Sequence, residues 1–170
     1  MSKLILLRGN SGSGKTTAAK ALQQRFGRNT MLLSQDMVRR EMLWAEDGAS
    51  TKALPLLREL LLYGSRHCEV VVLEGILRAD WYRPLFEDAV QLFGNQIFAY
   101  YYDLPFEETV RRHQTKPQRE EFGEQEMRTW WNGQDWIGFL PETRLDQTQS
   151  LDGIVEQIFR EVTAPETRGL

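Results

Sequence analysis

The chain is poor in cysteine and has neither a long apolar run nor an excess of positive charge. Its single cysteine, Cys68, excludes an internal disulfide, and together with His67 it shows no metal-ligand spacing. No apolar run approaches the roughly 18 residues that span a bilayer, so we expect no membrane span. The first residues, MSKLILL, lack the features of a secretory signal, and we therefore expect a cytoplasmic protein.

The balance of acidic and basic residues bears on whether the protein could bind nucleic acid. With 21 basic and 24 acidic side chains, the chain carries a formal net charge of −3 at pH 7. Because phosphate contacts usually need clustered lysines and arginines, this balance argues against an extended nucleic-acid surface, although a small or terminal nucleic-acid substrate stays open. The length of 170 residues predicts one domain, which we expect to cover residues 1–162, with a loose tail at 163–170.

Apolar runs alternate with stretches of helical periodicity, which is typical of an α/β protein with a parallel sheet. Strands are predicted at residues 3–8, 30–34, 69–73 and 96–102, with a weaker fifth strand within 143–146. Helices are predicted at residues 15–26, 37–45, 50–63, 84–93 and 106–113, and a final helix follows Ser150 as its N-cap.

A glycine-rich stretch, GNSGSGKT at residues 9–16, lies between the first predicted strand and the first predicted helix. It matches G-x-x-x-x-G-K-[ST] at every fixed position, a pattern whose backbone N–H groups turn inward around phosphate oxygens. Lys15 is predicted to reach the β and γ phosphates and Thr16 to coordinate Mg²⁺. A flexible glycine turn with a surface lysine is the alternative. The predicted nucleotide-binding set is Gly9, Asn10, Ser11, Gly12, Ser13, Gly14, Lys15, Thr16 and Thr17.

The sequence lacks the motifs of a GTP switch. No N-K-x-D occurs, and the only D-x-x-G, from Asp135 to Gly138, lies far from the third predicted strand. That strand is followed instead by Glu74, which we expect to hold a water on Mg²⁺ or to contact the acceptor, because ligand groups gather at the carboxyl edge of such sheets. A solvated strand end is the alternative reading of Glu74.

Asp36 follows the second predicted strand at the same expected edge of the sheet. Phosphoryl transfer to a hydroxyl benefits from a carboxylate that accepts the proton, so Asp36 indicates a hydroxyl acceptor and a role as general base. Its alternative role is the N-cap of a helix that begins at Met37. Arg39, in the first turn of that helix, is predicted to contact the substrate, and a solvated charged face is an equally open interpretation.

A densely charged segment after the fourth predicted strand suits a mobile lid, which we expect at about residues 113–135. Arg112 and Arg119 are predicted to close over the triphosphate and to neutralise charge in the transition state, with Arg111 as a substitute. An ordinary soluble surface is the alternative. Beyond them, Trp130, Trp131 and Trp136 could stack on a base or an aromatic substrate, although core packing is the more common role for tryptophan.

Taken together, GNSGSGKT, the D-x-x-R pair of Asp36 and Arg39, and the arginine-bearing lid resemble the P-loop kinases that phosphorylate small-molecule or nucleic-acid hydroxyls. Polynucleotide 5'-kinase, zeta toxin and chloramphenicol phosphotransferase belong to this group. The resemblance implies a three-layer P-loop fold whose five parallel strands have the order 2-3-1-4-5, with a helical lid. It also implies ATP as the donor, Asp36 as general base and, by likeness to the polynucleotide kinases, Arg39 against an acceptor phosphate.

The predicted activity is an ATP- and Mg²⁺-dependent kinase that transfers the γ-phosphoryl group to a hydroxyl of a small-molecule or nucleoside-like acceptor. Two alternatives stay open. A nucleoside monophosphate kinase would use a phosphate acceptor and leave Asp36 as a cap, and a nucleotide-dependent binding or regulatory protein would hydrolyse ATP only incidentally. The stretch from Trp130 to Trp136 matches none of the named relatives, and the sequence determines neither the acceptor nor the oligomeric state.

Overall fold

The computed structural model describes residues 1–165 and contains one five-stranded parallel sheet of order β2-β3-β1-β4-β5. The strands are β1 (Lys3–Gly9), β2 (Met31–Ser34), β3 (Val70–Gly75), β4 (Ile97–Tyr102) and β5 (Thr143–Leu145). The helices are α1 (Lys15–Phe26), α2 (Ala53–His67), α3 (Arg83–Phe93), α4 (Phe106–Gln114), α5 (Glu124–Trp130) and α6 (Leu151–Thr163). The predicted fold and strand order, including the weak fifth strand, are confirmed.

The central strand β1 shows why the sheet is covered on both faces. Its residues Leu4 to Leu7 are completely buried, and they alternate between two apolar cores. Leu4 and Leu6 pack with residues of α2 and α3, whereas Ile5 and Leu7 pack with residues of α1 and α6. A continuous apolar run is what a parallel strand needs between two helical layers.

One predicted helix is replaced by an irregular turn. Residues 37–45 were expected to be helical, but the structure has a π-helical turn over Met37–Met42, with the Leu43 N–H donating to the Val38 carbonyl at 3.1 Å. Val38 is the only buried residue of this turn, so no apolar stripe holds a regular helix against the core. The chain then leaves the turn at Trp44, which has a positive φ of 46°.

The boundaries of α2 also differ from the prediction of 50–63. The helix begins at Ala53 and continues through Gly64 to His67. A Cβ atom at Gly64 would lie 2.7 Å from Val71 Cγ2 in β3, so the close approach of α2 to the sheet requires glycine there. Packing against the sheet therefore stabilises α2 beyond Gly64, although glycine destabilises an isolated helix.

Helix α6 is the last helix in residues 1–165. Helix α6 begins behind the N-cap Ser150, whose Oγ accepts from the Gly153 N–H at 3.1 Å, and it ends at Thr163. The predicted tail at 163–170 lies outside the described residues from position 166 onward. Among residues 1–165, no helix combines the length and apolar character needed to cross a membrane.

Candidate active site

The glycine-rich stretch forms a tight loop between β1 and α1. Gly12 has a φ of 80°, and a Cβ atom there would lie 2.5 Å from the carbonyl oxygen of Thr109 in α4. Gly14 precedes α1 with a φ of 99°. Both conformations favour glycine, and the first also allows α4 to approach the loop. The loop therefore has the shape in which successive amides can face an anion at the start of a helix.

Lys15 lies buried inside this loop. Its Nζ donates to the carbonyl of Asn10 at 3.2 Å, and the residue is 8% exposed. Among residues 1–165, Lys15 has no ion-pair partner within 4 Å. Burial lowers the pKa of Lys15, while the carboxylates of Glu74 and Asp36 act in the opposite direction. A desolvated ammonium without a contacting anion is a site that a phosphate group fits.

The Glu74 carboxylate joins three elements at the carboxyl edge of the sheet. Its Oε2 accepts from the Thr16 hydroxyl at 3.1 Å and its Oε1 accepts from the Ser34 hydroxyl at 2.6 Å. Glu74 is 1% exposed, so the solvated alternative does not describe it. Hydroxyl and carboxylate oxygens are ligands that Mg²⁺ prefers, and waters and phosphate oxygens would complete its octahedron. Thr16 and Glu74 could thus hold Mg²⁺, with Ser34 orienting the carboxylate.

Asp36 immediately precedes the π-helical turn and lies two residues after the end of β2. Its carboxylate accepts from Arg39 Nη2 at 3.3 Å and lies 3.6 Å from Arg40 Nε, while 58% of the side chain remains exposed. The turn has no side-chain cap from Asp36, and the Met37 N–H instead approaches Ser34 Oγ at 3.4 Å. The structure therefore has no hydrogen bond of the kind that an N-cap role for Asp36 would require, and the carboxylate is accessible to a ligand.

An open cavity of about 560 Å³ lies beside the two arginines that contact Asp36. It is lined by Arg39, Arg40, Trp44, Ala45 and Glu46. Arg39 spans the cavity wall, because its Nη1 also donates to the Ala45 carbonyl at 3.3 Å. Trp44 is 93% exposed at the rim, which leaves a flat apolar surface uncovered. This cavity is the candidate acceptor site.

A second cavity, of about 590 Å³, lies between the glycine-rich loop, α4 and the turn before α6. Arg112 lines it and donates from Nη1 to the Ser13 carbonyl at 2.7 Å and from Nε to Glu108 Oε1 at 2.8 Å. Hydrogen bonds from Arg111 and Arg112 lower the pKa of Glu108 to about 2. Helix α4 is therefore connected to the loop by Arg112, whereas Arg111 is exposed and paired with Glu108.

Two hydroxyl groups along this cavity lack partners. Ser13 Oγ and Tyr102 Oη are buried, and neither has a hydrogen bond within the part of the chain that the structure describes. Both residues line the second cavity. A buried hydroxyl without a partner costs about 1–3 kcal/mol, so both groups are unfavourable features of the site as it stands.

The sequence did not single out Lys116, which lies within the densely charged segment. Lys116 lines the second cavity, and burial lowers its pKa, with further lowering by the positive charges of Lys15 and Arg112. Arg119, by contrast, is exposed on the 3-10 turn at Pro117–Glu120 and donates to the Gln114 carbonyl at 3.3 Å. The structure thus brings Arg112 and Lys116 to the loop and does not bring Arg119 there.

Each of the three tryptophans packs on an aromatic neighbour. Trp130 meets Phe122 at 5.0 Å between ring centroids, Trp131 meets Phe106 at 5.3 Å, and Trp136 meets Tyr101 at 4.7 Å. None of the three lines either of the two cavities. Trp130 and Trp136 nevertheless remain 40% and 38% exposed, so neither is a core residue.

A family model described as an AAA domain matches residues 4–136, a range that includes the glycine-rich loop, Asp36, Glu74 and the lid. The chain belongs to this AAA domain family. No curated protein matches the sequence.

Solved structures with the same fold align with nearly the whole length of this chain. A gluconokinase from Sinorhizobium meliloti 1021 has a TM-score of 0.67 and 16% identity, with 94% of this chain and 91% of the gluconokinase covered. The APS kinase of Mycobacterium tuberculosis, bound to AMPPNP and APS, has a TM-score of 0.68 and 19% identity, with coverage of 93% and 95%. A shikimate kinase from Acinetobacter baumannii, bound to shikimate, has a TM-score of 0.58 and 16% identity, with coverage of 99% and 97%.

Proposed function

We propose that this protein is an ATP- and Mg²⁺-dependent kinase that transfers the γ-phosphoryl group to a hydroxyl of a small-molecule or nucleoside-like acceptor. The observation that carries the proposal is the position of Asp36, an accessible carboxylate that contacts two arginines lining an open cavity, Arg39 and Arg40, and that acts electrostatically on the P-loop lysine, Lys15. A proton acceptor next to a phosphate site is the arrangement that hydroxyl phosphorylation needs.

The donor would lie in the second cavity with its phosphates on the loop. Loop amides and Lys15 would hold the phosphate oxygens, and Thr16 with Glu74 would hold Mg²⁺, which supplies charge neutralisation when it is bound. Arg112 and Lys116 line the same cavity and add positive charge from the lid side.

The acceptor would lie beside the π-helical turn. Its hydroxyl oxygen would form the new bond to the γ phosphorus as the bond from that phosphorus to the β–γ bridging oxygen breaks, and ADP would leave with the bridging oxygen. The hydroxyl proton would pass to the Asp36 carboxylate. Arg39 already contacts Asp36 at 3.3 Å, so it could hold that carboxylate and meet an acceptor group at once.

The structural relatives are consistent with this class of acceptor. The shikimate kinase was solved with shikimate, and the APS kinase with AMPPNP and APS, so both bind a small molecule on a scaffold of this shape. At identities of 16% and 19%, these relatives support a common fold alone, so the acceptor of this chain must be inferred from its own cavity.

A nucleoside monophosphate kinase is the second candidate, and the two arginines of the acceptor cavity favour it. Arg39 and Arg40 both line that cavity, and guanidinium groups suit a phosphate on the acceptor. In that case the attacking atom would be a phosphate oxygen, which needs no general base, and the loss of Asp36 would have little effect on turnover.

The test is transfer of label from γ-³²P-ATP to fractions of a metabolite extract, run with the unaltered protein and with Asp36→Asn. We expect a labelled compound whose new phosphate is an ester of an alcohol, with its formation greatly slowed in the variant. Label on nucleoside diphosphates, formed equally fast by Asp36→Asn, would establish the monophosphate kinase instead. Consumption of ATP with no labelled product other than inorganic phosphate would overturn the proposed transfer reaction.

A further inference from the structure

Arg8, the residue before Gly9 on the central strand, is a buried charge that the proposed chemistry does not use. Its side chain is 0% exposed. Its guanidinium forms ion pairs with Asp135 at 2.8 Å and with Glu142 at 2.7 Å, and its Nε donates to the Leu77 carbonyl at 3.0 Å. One cation thus joins β1 to two distant parts of the chain.

Both carboxylates also bind backbone amides, so the residues around them are fixed as a unit. The Asp135 Oδ2 that meets Arg8 also accepts from the Ala79 N–H at 2.9 Å. The second oxygen of Glu142 accepts from the Ile137 N–H at 2.9 Å. The segment of residues 131–142 is therefore anchored on Arg8, and the loop after β3 is anchored on the same group.

The 131–142 segment in turn holds the P-loop through Asn10. The side-chain amide of Asn10 donates to the Asn132 carbonyl at 2.9 Å, and its oxygen accepts from the Asn132 N–H at 2.9 Å. The carbonyl of Asn10 is the acceptor for Lys15 Nζ at 3.2 Å. A continuous chain of hydrogen bonds and ion pairs therefore runs from Arg8 through the 131–142 segment to the phosphate-binding lysine.

Tyr101 closes this chain from the neighbouring strand β4. Its hydroxyl donates to the Asn132 carbonyl at 3.3 Å and accepts from the Asp135 N–H at 3.2 Å. Its ring also faces the Arg8 guanidinium at 5.5 Å, within the range of a cation–π contact. The turn that carries Asn132 is consequently held on both sides, by Asp135 and by Tyr101.

We propose that Arg8 is a positioning residue which, through Asp135 and Asn132, holds Asn10 and the P-loop in the geometry that binds the nucleotide phosphates. The inference rests on the proposed nucleotide site. On this inference, the 131–142 segment contributes to nucleotide affinity. If its tryptophans only packed on their neighbours, the segment would have no such role. Asn10 is the link, because a nonpolar residue at this loop position could not bind the Asn132 backbone in both directions.

The experiment measures the dissociation constant of MgADP by titration calorimetry for Asp135→Asn, which weakens the Arg8 contact without emptying the site. We expect affinity to fall about 3- to 30-fold, the usual range for coupling through a network. Asp88→Asn is the matched control, since Asp88 is also paired with an arginine, Arg58, between α2 and α3. It should leave the affinity unchanged.

Loss of stability is separated from loss of positioning with Leu61→Ala, a change in the core of α2 that lies outside the network. Measured where all variants are folded, Leu61→Ala should bind MgADP normally even if its Tm falls as far as that of Asp135→Asn. Equal affinities for Asp135→Asn and the unaltered protein would overturn the inference. Absence of MgADP binding by the unaltered protein would instead remove the proposed function, and this inference with it.

The route through Asn132 is tested by a double-mutant cycle of Asn10→Ala and Asp135→Asn. If both residues act through the same turn, the double variant should bind MgADP about as weakly as the more impaired single variant. Multiplicative losses of affinity would mean that Asn10 and Asp135 act independently, and they would contradict the proposed route from Arg8 to the loop.

Discussion

The proposed donor side and the proposed acceptor side of the site are built in different ways. Lys15 and Glu74, on the donor side, are buried, with Glu74 near the end of β3 and Lys15 at the start of α1, directly after the glycine-rich loop. The acceptor side lies on a π-helical turn between an exposed Asp36 and a nearly fully exposed Trp44. The comparison contrasts a buried site with an exposed and locally irregular surface, and on our proposal the exposed surface selects the acceptor.

The largest expected effect tests the acceptor side. Asp36→Asn keeps the shape of the side chain but cannot take a proton, so turnover should fall roughly 10²- to 10⁴-fold. Nucleotide affinity should stay close to that of the unaltered protein, because Asp36 contacts Arg39 and Arg40 rather than the P-loop. Steady-state kinetics with the labelled acceptor and MgADP titrations check both parts, and near-normal turnover would remove Asp36 from the mechanism.

The next effect tests the donor side. Lys15→Met should lower kcat/KM roughly 10²- to 10³-fold, as expected for loss of one electrostatic contact to developing charge, and should weaken nucleotide binding as well. Unchanged ATP affinity would count against the phosphate-site assignment. A control with Lys20, an exposed lysine of α1, changed to methionine should have neither effect.

The same lysine predicts the pH dependence of stability in the absence of nucleotide. Burial lowers the pKa of folded Lys15 below 10.5, so the unfolded chain binds more protons between the lowered pKa and 10.5. This contribution makes the folded state more stable as pH rises through that interval. In Lys15→Met the contribution disappears, and Tm measured against pH should rise less steeply there than in the unaltered protein.

A smaller effect tests the lid. Arg112→Ala removes a cation that donates to the Ser13 carbonyl, and the loss of charge-assisted hydrogen bonds should reduce kcat/KM about 10- to 100-fold. Arg112→Lys keeps the charge and should recover part of the loss. An effect of less than twofold for the alanine variant would place Arg112 outside the site.

The smallest effect is expected at the other lid arginine. Arg119 is exposed and contacts only the Gln114 carbonyl at 3.3 Å among residues 1–165, so Arg119→Ala should change kcat/KM by less than about threefold. A loss as large as that of Arg112→Ala would instead support the sequence-based prediction, and it would require the 3-10 turn to move toward the nucleotide during turnover.

Local patterns predicted the donor side because its residues are neighbours in sequence or stand at strand ends. The fixed positions of GNSGSGKT predict the conformation of the loop by themselves. The predicted parallel strands then place Glu74 at the same edge of the sheet as Thr16, which it contacts. Ser34 was missed although it ends the predicted second strand at the same edge. Lys116 was missed because a charged run gives no sign of which lysine folds inward.

The network around Arg8 could not be predicted, because its contacts join residues far apart in the chain. Arg8 and Asp135 are separated by 127 positions, and Asn10 and Asn132 by 122. An arginine within an apolar strand was the available signal, since a buried guanidinium requires carboxylate partners. The sequence offers many acidic residues, and only the folded chain selects Asp135 and Glu142 among them. The π-helical turn was also beyond prediction, as its sequence is compatible with an ordinary helix.

The most direct test of a kinase built around Asp36 is a crystal structure of the protein with AMPPNP and Mg²⁺, in which the distance from the Asp36 carboxylate to the γ phosphorus is measured. We expect the carboxylate within roughly 6 Å, the sum of a hydrogen bond to the acceptor oxygen and a near-attack distance. A γ phosphate bound on the loop with Asp36 turned away and much farther off would contradict its role as the base.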